Sequence, residues 1–195
     1  VQLQHPAFLD NPSLQKNFRF DDAMHRMLGS DARVRGYAPR VYADGLLSFG
    51  DNSQGTAIFG IDPAVEQRVT RMVRQLRDGR MPSSSDAAEV VVGKTMLENL
   101  RAKVGDEIVV LAQGYDGSLG NAKFRIVGTV RTGLLDFDRS AVFIGIDALQ
   151  ELISMQGKVN VVAVTLHDLG DIEEFTDELN ARIDGDFVAV VGDRV

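Results

Sequence analysis

Residues 159–191 read VNVVAVTLHDLGDIEEFTDELNARIDGDFVAVV, and this stretch decides the fold of the chain. The segment from Val159 to Leu166 is apolar on both faces, which is typical of a strand inside a sheet. A helical stripe of apolar residues follows it, formed by Ile172, Phe175, Leu179 and Ile183. The segment from Phe187 to Val191 again has the composition of a buried strand. Together these segments predict a strand–helix–strand unit.

The beginning of the chain carries a second unit of the same kind. Val1 to Gln4 alternates apolar and polar residues, a pattern typical of a short strand. An amphipathic helix is predicted from Phe20 to Leu28, with Gly29 to end it, and another strand starts near Val34. The sequence between the two units has a different rhythm. This arrangement indicates a subdomain built from both chain ends, with a second subdomain inserted into it.

The intervening sequence predicts hairpins and short helices. Val41 to Phe49 and Thr56 to Ile61 read as a hairpin around the turn-forming cluster at residues 50–53. Asp62 and Pro63 are typical of a helix start, and an apolar stripe predicts that this helix continues to Gly79. After a loop we expect strands over 89–92, 107–111, 124–130 and 141–144, with helices over 95–103 and around 149–153.

The chain is therefore predicted to be an α+β protein of two subdomains. One comprises residues 1–62 and 158–195 and contains the βαβ units. The other, residues 63–157, is inserted and rich in β-structure. The residues expected to be buried all lie on apolar stripes: Val69, Met72, Leu76, Val161, Phe175, Leu179 and Val190.

Composition narrows the classes of function. A formal charge of −7 and a pI near 4.9 argue against a nucleic-acid binder, because phosphate contacts need clustered Lys and Arg. The absence of Cys removes disulfides, thiolate metal sites and cysteine nucleophiles. No apolar run approaches the roughly 20 residues that span a bilayer. In one predicted helix an arginine recurs every three residues, at Arg68, Arg71, Arg74 and Arg77. These side chains form either a solvated face or a patch for an anionic partner.

The chain offers little recognisable chemistry. Gly93 to Thr95 is similar to the end of a phosphate-binding loop, but the pattern requires a glycine where Ala88 stands. The histidines lack metal-ligand spacing, and the aspartates lack the calcium-loop pattern: His5, His25, His167, Asp116, Asp136 and Asp138. We therefore predict no catalytic residue, no cofactor and no metal, and we expect the chain not to bind ATP.

An ordered set of small motifs runs through the chain. It comprises Ala38-Pro39-Arg40, Gly60-Ile61-Asp62-Pro63, Gly79-Arg80, Val91-Val92-Gly93-Lys94, Val104-Gly105-Asp106, Val127-Gly128-Thr129, Thr132-Gly133 and Phe137-Asp138. In this order and spacing the set resembles the extracytoplasmic domain of FtsX-like ABC transporter permeases. Together with the start of the chain, residues 1–14, it is most similar to the lipoprotein-releasing LolC/LolE-type branch. The MacB-type branch shares the domain plan.

This resemblance implies both an architecture and a role. The βαβ units would share one sheet in a porter-like subdomain, and the insert would be a sabre-like subdomain. The chain would be a periplasmic domain of an inner-membrane protein, cut out from between membrane helices. It would transmit ATP-driven motion across the membrane for lipoprotein release or export. The implied partners are a second permease subunit, identical or related, a separate ATPase subunit, and a lipoprotein cargo or its carrier.

Apolar residues at two predicted turns are the candidate partner-binding residues. Tyr115 and Leu119 lie at the tip of a predicted hairpin, and Leu134, Leu135 and Phe137 lie in a predicted loop. Exposed apolar groups of this kind often mark protein–protein contacts. For the loop, folding back into the core of the inserted subdomain is an equal alternative.

Two further alternatives stay open. In position, the hairpin corresponds to one that grips a carrier in one branch of the family. Here it is shorter and holds Gly114, Gly117 and Gly120, so an ordinary solvated hairpin is equally compatible. A different class of protein, a soluble two-subdomain ligand-binding protein or enzyme with a cleft, would also suit the predicted architecture.

Overall fold

The computed structural model describes residues 1–70, 72–183, 185 and 187–191, with the backbone alone at residues 72 and 73. This part of the chain forms twelve strands and six α-helices, so the protein has the predicted α+β class. The strands are β1 (Gln2–Gln4), β2 (Phe18–Arg19), β3 (Val34–Phe49), β4 (Asn52–Ile61), β5 (Leu76–Gly79), β6 (Glu89–Gly93), β7 (Glu107–Gln113), β8 (Leu119–Val130), β9 (Ala141–Gly145), β10 (Lys158–Val159), β11 (Val161–Leu166) and β12 (Val188–Val190). The helices are α1 (Asp22–Ser30), α2 (Pro63–Val69), α3 (Lys94–Leu100), α4 (Leu135–Ser140), α5 (Ile146–Leu152) and α6 (Ile172–Arg182).

Strands from the two ends of the chain form one sheet in the order β12-β1-β11-β3, termed here the terminal sheet. β1 lies between β11 and β12 and is antiparallel to both, with Gln2 opposite Ala163 and Val190. β11 in turn separates β1 from β3. The units β1–α1–β3 and β11–α6–β12 are therefore interleaved split βαβ units. Both units predicted from the sequence are confirmed, and they share one sheet.

A closed ring of six strands continues from the terminal sheet. β3 pairs with β4, and pairing then passes through β9, β6, β8 and β7 back to β3. Residues 34–40 of β3 contact β11, whereas residues 45–48 contact β7, so β3 belongs to both the sheet and the ring. Each of the six strands contributes to the main hydrophobic core, for example through Leu47, Ile58, Val92, Ile108, Phe124 and Ile144.

A second, smaller apolar cluster lies on the other face of the ring strands. Along β9, Val142 and Ile144 belong to the main core, whereas Ala141 and Phe143 belong to the second cluster. This alternation follows from the two-residue period of a strand. The second cluster therefore forms the surface against which α4 packs.

The topology is consistent with two subdomains that share the long strands β3 and β4. The terminal sheet with α1 and α6 forms one unit, and the ring with α3, α4 and α5 forms the other. The predicted limits, residues 1–62 with 158–195 and residues 63–157, stay a prediction.

The helix predicted from Pro63 to Gly79 is wrong in its second half. α2 ends at Val69, and the last four residues of the prediction form β5 instead. β5 pairs with β8, with Leu76 opposite Val130 and Gly79 opposite Gly128. Hydrogen bonding to a free strand edge has outweighed the helical spacing of the apolar residues.

The predicted core is confirmed in part. Three of the predicted residues are buried: Val161, Phe175 and Leu179. Three are half-buried and were predicted wrongly: Val69, Leu76 and Val190. In β12 the buried residue is Ala189. Successive residues of a strand point to opposite faces of the sheet, so Val190 lies on the other face. The side chain of Met72 lies outside the described residues.

Candidate functional site

The two described ends of the chain lie side by side at one end of the terminal sheet. The Val1 amino group donates a hydrogen bond to the Val164 carbonyl oxygen at 3.0 Å, and Gln2 pairs with Val190. β3 starts near this end, and its 16 residues lead to the β3–β4 turn. At about 3.3 Å per residue, β3 spans about 50 Å. The end of the ring around this turn is termed the distal end.

α3 and α4 pack at the distal end beside the β3–β4 hairpin. The Asn52 side-chain amide donates to the Leu100 carbonyl oxygen at the end of α3, at 3.3 Å. The Gln54 amide donates to the Arg139 carbonyl oxygen of α4, at 2.9 Å. α4 occupies a segment that was predicted to be a loop. The candidate residues at the start of α4 are therefore presented at the distal end.

A buried carboxylate fixes the segment before α4. Asp138 accepts hydrogen bonds from the Thr132 N–H at 2.7 Å, the Thr132 hydroxyl at 2.8 Å and the Gly133 N–H at 3.1 Å. Burial alone would raise the pKa of Asp138, but these hydrogen bonds and the charge of Arg131 outweigh burial and hold the pKa below its ordinary value. The segment is thus held by an ionised, buried side chain.

The three apolar candidates near α4 divide into two kinds. Leu134 and Leu135 are 67% and 66% exposed. Phe137 is half-buried, and its ring centroid lies 5.8 Å from that of Phe59 and 6.0 Å from that of Phe143. Phe137 therefore packs on the second apolar cluster, while the two leucines face outward. Folding back onto the core is therefore observed for Phe137, whereas partner binding by Leu134 and Leu135 stays a prediction.

The β7–β8 hairpin tip lies against the rest of the protein. The Tyr115 N–H donates to the Ile153 carbonyl oxygen just beyond α5, at 2.7 Å. Lys158 Nζ donates to the Tyr115 hydroxyl at 2.7 Å and lies 3.9 Å from the ring centroid. This hydrogen bond and the charge of Lys158 lower the pKa of Tyr115. Tyr115 is half-buried, whereas Leu119 is 70% exposed.

Glycines allow the hairpin to pack this closely. A Cβ atom at position 120 would lie 2.0 Å from the Leu152 carbonyl oxygen, so only Gly120 fits there. Gly117 has a φ of +84°, the left-handed region that the tight turn requires. The glycines of the tip thus serve turn geometry and close contact with α5.

The structure does not bring the two groups of candidate residues together. Leu119 begins β8, and Leu134 follows shortly after the last residue of β8, Val130. Twelve strand residues extend about 40 Å along the chain. The hairpin tip lies near the terminal sheet through Lys158, whereas Leu134 lies at the distal end. The candidates therefore form two separate surfaces.

The polar candidates from the sequence stay apart from one another. His25 Nδ1 lies 3.1 Å from the Tyr37 hydroxyl, and His5 Nδ1 accepts a hydrogen bond from the Ala7 N–H at 3.1 Å. Within residues 1–70, 72–183, 185 and 187–191, no three His, Asp or Glu side chains are placed to hold a metal ion. Lys94 opens α3 directly after β6, which is the predicted strand–helix junction.

Sequence reasoning missed a basic pocket at the distal end. Arg77, Lys94 and Arg131 line a cavity of about 360 Å³ together with Asp78, Thr132 and Gly133. These residues come from β5, α3 and the segment after β8, so no local motif indicates the pocket. The one available signal was the arginine repeat, for which an anionic partner was an open alternative.

The sequence profile of the MacB-like periplasmic core domain family matches residues 4–182 of the chain. The chain belongs to this family. A curated relative, the uncharacterised ABC transporter permease MJ1507 of Methanocaldococcus jannaschii, is 27% identical over 115 residues. That match covers 57% of this chain and 27% of the relative, so this MacB-like domain spans about a quarter of the relative's length.

Two solved structures share the fold of this MacB-like domain. The extracellular domain of the ABC-type transporter YknZ from Gram-positive bacteria has a TM-score of 0.68 at 15% identity, covering 98% of this chain and 99% of that chain. The periplasmic region of MacB from Actinobacillus actinomycetemcomitans has a TM-score of 0.63 at 14% identity, covering 92% and 82%.

These findings make the chain a periplasmic or extracellular domain of an ABC transporter permease. In the part of the chain that the structure describes, no helix combines the length and the apolar character needed to cross a membrane.

Proposed function

We propose that this MacB-like domain carries ATP-driven motion from the membrane part of its permease to partners on the periplasmic side of the inner membrane. ATP hydrolysis belongs to a separate ATPase subunit, and this chain performs no catalysis. A second permease subunit, identical or related, pairs with this one. The proposed cargo is a lipoprotein that passes to a carrier, as the resemblance to the LolC/LolE-type branch implies.

The path of β3 and β4 is the observation that supports this proposal. The β3–β4 ladder runs without a register shift from Arg40 opposite Ile61 to Phe49 opposite Asn52. Its outer edges pair with β11 and β7 on one side and with β9 on the other. These outer partners cover residues 34–40 and 45–48 of β3 and residues 57–61 of β4, and a sharp bend in the paired regions would break their hydrogen bonds. Displacement of the terminal sheet should therefore displace the distal end as well.

Buried polar groups hold the junction between the terminal sheet and the ring. Asn160 is fully buried, accepts a hydrogen bond from the Tyr42 N–H at 2.8 Å and donates to the Lys16 carbonyl oxygen at 2.9 Å. Arg40 of β3 forms an ion pair with Glu66, whose carboxylate is fully buried on α2. These contacts tie loops and α2 to the shared strand, which favours movement as one body.

Spin labels in the full-length permease, reconstituted in lipid with its ATPase, test this transmission. Because the chain has no Cys, Arg26→Cys on α1 and Leu135→Cys on α4 provide single attachment sites within it. We expect the Leu135-to-Leu135 distance between the two permease subunits to change when ATP binds. The Arg26-to-Leu135 distance within one subunit should stay constant.

Each outcome bears on a separate part of the proposal. A subunit-to-subunit distance that is the same in every nucleotide state would show that the domain does not move with ATP binding. A change in the distance within one subunit would show that the ladder bends, which contradicts rigid transmission.

The cargo requires its own measurement. We expect proteoliposomes that contain the permease, its ATPase and a labelled lipoprotein to release the lipoprotein to a soluble carrier when ATP is added. Vesicles without ATP provide the control. Nucleotide-dependent motion without lipoprotein release would leave the transport role intact and remove the lipoprotein as its cargo.

The exposed apolar candidates are proposed as contact points for these partners. Leu119 would contact a partner at the surface near the terminal sheet, and Leu134 and Leu135 would contact one at the distal surface. The half-buried Tyr115 and Phe137 would hold these two segments in position. We expect substitution of Tyr115, Leu119 and Phe137 by Ser or Asp in the full-length permease to impair transport or assembly. Unchanged transport and assembly, with a folded domain, would remove these surfaces from the proposal.

Calorimetry tests the absence of ATP chemistry in this chain. We expect no heat of ATP binding, because three consecutive valines form β6 where a phosphate loop would need a flexible backbone. Micromolar ATP binding that disappears in Lys94→Ala would overturn this part of the proposal. It would also favour the alternative class, a ligand-binding protein or enzyme.

A further inference from the structure

The basic pocket adjoins the exposed leucine pair at the distal end. Along the chain, Arg131, Thr132 and Gly133 line the pocket, and the exposed Leu134 and Leu135 follow directly. Cationic and apolar groups are thus presented together by one short segment, which Asp138 holds in place from beneath.

Among the described residues, no salt bridge involves the cationic groups of this pocket, Arg77, Lys94 and Arg131. Asp78 is the carboxylate that lines the pocket, and it accepts a weak hydrogen bond from the Thr129 hydroxyl at 3.4 Å. Three cations set against Asp78 and the adjacent buried carboxylate of Asp138 leave one net positive charge here, in a chain whose formal charge is −7.

The backbone of the segment is already engaged. The Thr132 and Gly133 N–H groups donate to Asp138, and the Leu134 N–H donates to the Thr132 hydroxyl at 3.2 Å. An anion in the pocket would therefore be bound by side chains. Arg presents a planar fork that matches a carboxylate, and Lys adds a mobile point charge.

We propose that this cationic–apolar patch, formed by Arg77, Lys94, Arg131, Leu134 and Leu135, binds an acidic segment of a protein partner whose apolar side chains cover the two leucines. The inference rests on the proposed transport role and adds the chemistry of the partner. The leucines favour a protein over a free anion, because a small anion in the pocket would leave both leucine side chains exposed to water. The patch lies towards the distal end of the ring, whereas the chain ends lie beside Val164 in the terminal sheet, which separates the patch from a lipid surface at those ends.

Fluorescence anisotropy with defined probes tests the patch in the purified chain. The probe is a labelled amphipathic peptide of glutamate and leucine, and the comparison peptides are one of glutamate and serine and one of lysine and leucine. We expect binding of the glutamate–leucine peptide alone. Arg131→Glu should weaken it about tenfold or more, and so should Leu134→Ser combined with Leu135→Ser. Raising the salt concentration should weaken it further, because exposed charges are screened.

A matched variant distinguishes binding by the patch from a general effect of the chain's net charge. Arg26→Glu makes the same charge change at an exposed position of α1 and should leave the affinity unchanged. Circular dichroism checks that each variant is folded. Equal binding of the glutamate–serine peptide, equal binding of vesicles of anionic phospholipid, or no binding at millimolar peptide would overturn the inference.

The full-length permease distinguishes failure of the patch from failure of the transport role. We expect Arg131→Glu combined with Leu134→Ser to reduce transport, while the nucleotide-dependent movement of a spin label at Leu135→Cys persists. Normal transport in this variant, with movement intact, would refute the patch and leave the transport role standing. Loss of the movement in the unaltered permease would instead refute the transport role.

Discussion

Replacing Asp138 by Asn tests how the distal segment is held. The carboxylate accepts three hydrogen bonds from Thr132 and Gly133 while it is 3% exposed. In Asp138→Asn the remaining oxygen can keep the two bonds from Thr132, but the amide nitrogen then faces the Gly133 N–H, donor against donor. A buried group left without its partner costs about 1–3 kcal/mol, and bonds to a neutral acceptor are weaker by about 1 kcal/mol each. The neutral Asn avoids the desolvation cost of a buried carboxylate, which offsets part of this loss.

We therefore expect Asp138→Asn to lower the free energy of unfolding by about 2 kcal/mol at neutral pH, measured by urea denaturation. For a chain of this size that corresponds to a fall in Tm of about 4–8 °C. Asp136→Asn is the matched control, because it removes the same charge from an exposed position on α4 and should cost less than about 0.5 kcal/mol.

The same variant predicts a pH dependence of known sign. The pKa of Asp138 is lowered in the folded protein from the ordinary value of 3.8. The carboxylate therefore contributes its stability fully above that value and loses it as the pH falls through the lower, folded pKa. The difference in stability between the unaltered protein and Asp138→Asn should shrink as the pH is lowered from about 6 to about 3. A constant difference, or a loss below about 0.5 kcal/mol at neutral pH, would refute the role given to this carboxylate.

The strands and helices of the terminal sheet could be predicted because their signals are local. The stripe that includes Phe175 and Leu179 lies within one helix, and the apolar run of β11 lies within one strand. That both βαβ units share a sheet came from the resemblance, since the periodicity within an element does not specify its neighbours. The pairing of Gln2 with Val190 joins residues from opposite ends of the chain.

The errors arose where distant pairing decided the local structure. Leu76 fits the helical stripe that begins in α2, yet it pairs with Val130 in a strand. Closure of the ring depends on β7 meeting β3, a contact between Val109 and Ser48 that no local pattern indicates. The basic pocket is of the same kind, because Lys94 and Arg131 come from different elements. Sequence periodicity could therefore find the elements but not their assembly.

Two further substitutions test the packing that positions the candidate surfaces. Leu179→Ala on α6 should cost about 2–5 kcal/mol in chemical denaturation, whereas Leu169→Ala, at a residue 68% exposed, should cost under about 0.5 kcal/mol; equal costs would show that α6 is not packed on the sheet. Gly120→Ala adds a Cβ 2.0 Å from the Leu152 carbonyl oxygen. Because that oxygen belongs to the backbone, it cannot rotate away, and the hairpin must lift from α5. We expect a loss of about 1–3 kcal/mol and faster hydrogen exchange at the amide that links the hairpin tip to α5. Gly55→Ala, where an added Cβ meets no atom within 4 Å, is the control. Equal stability and equal protection from exchange in both glycine variants would show that the tip is not held on α5. The hairpin would then project from the protein and could itself contact a partner.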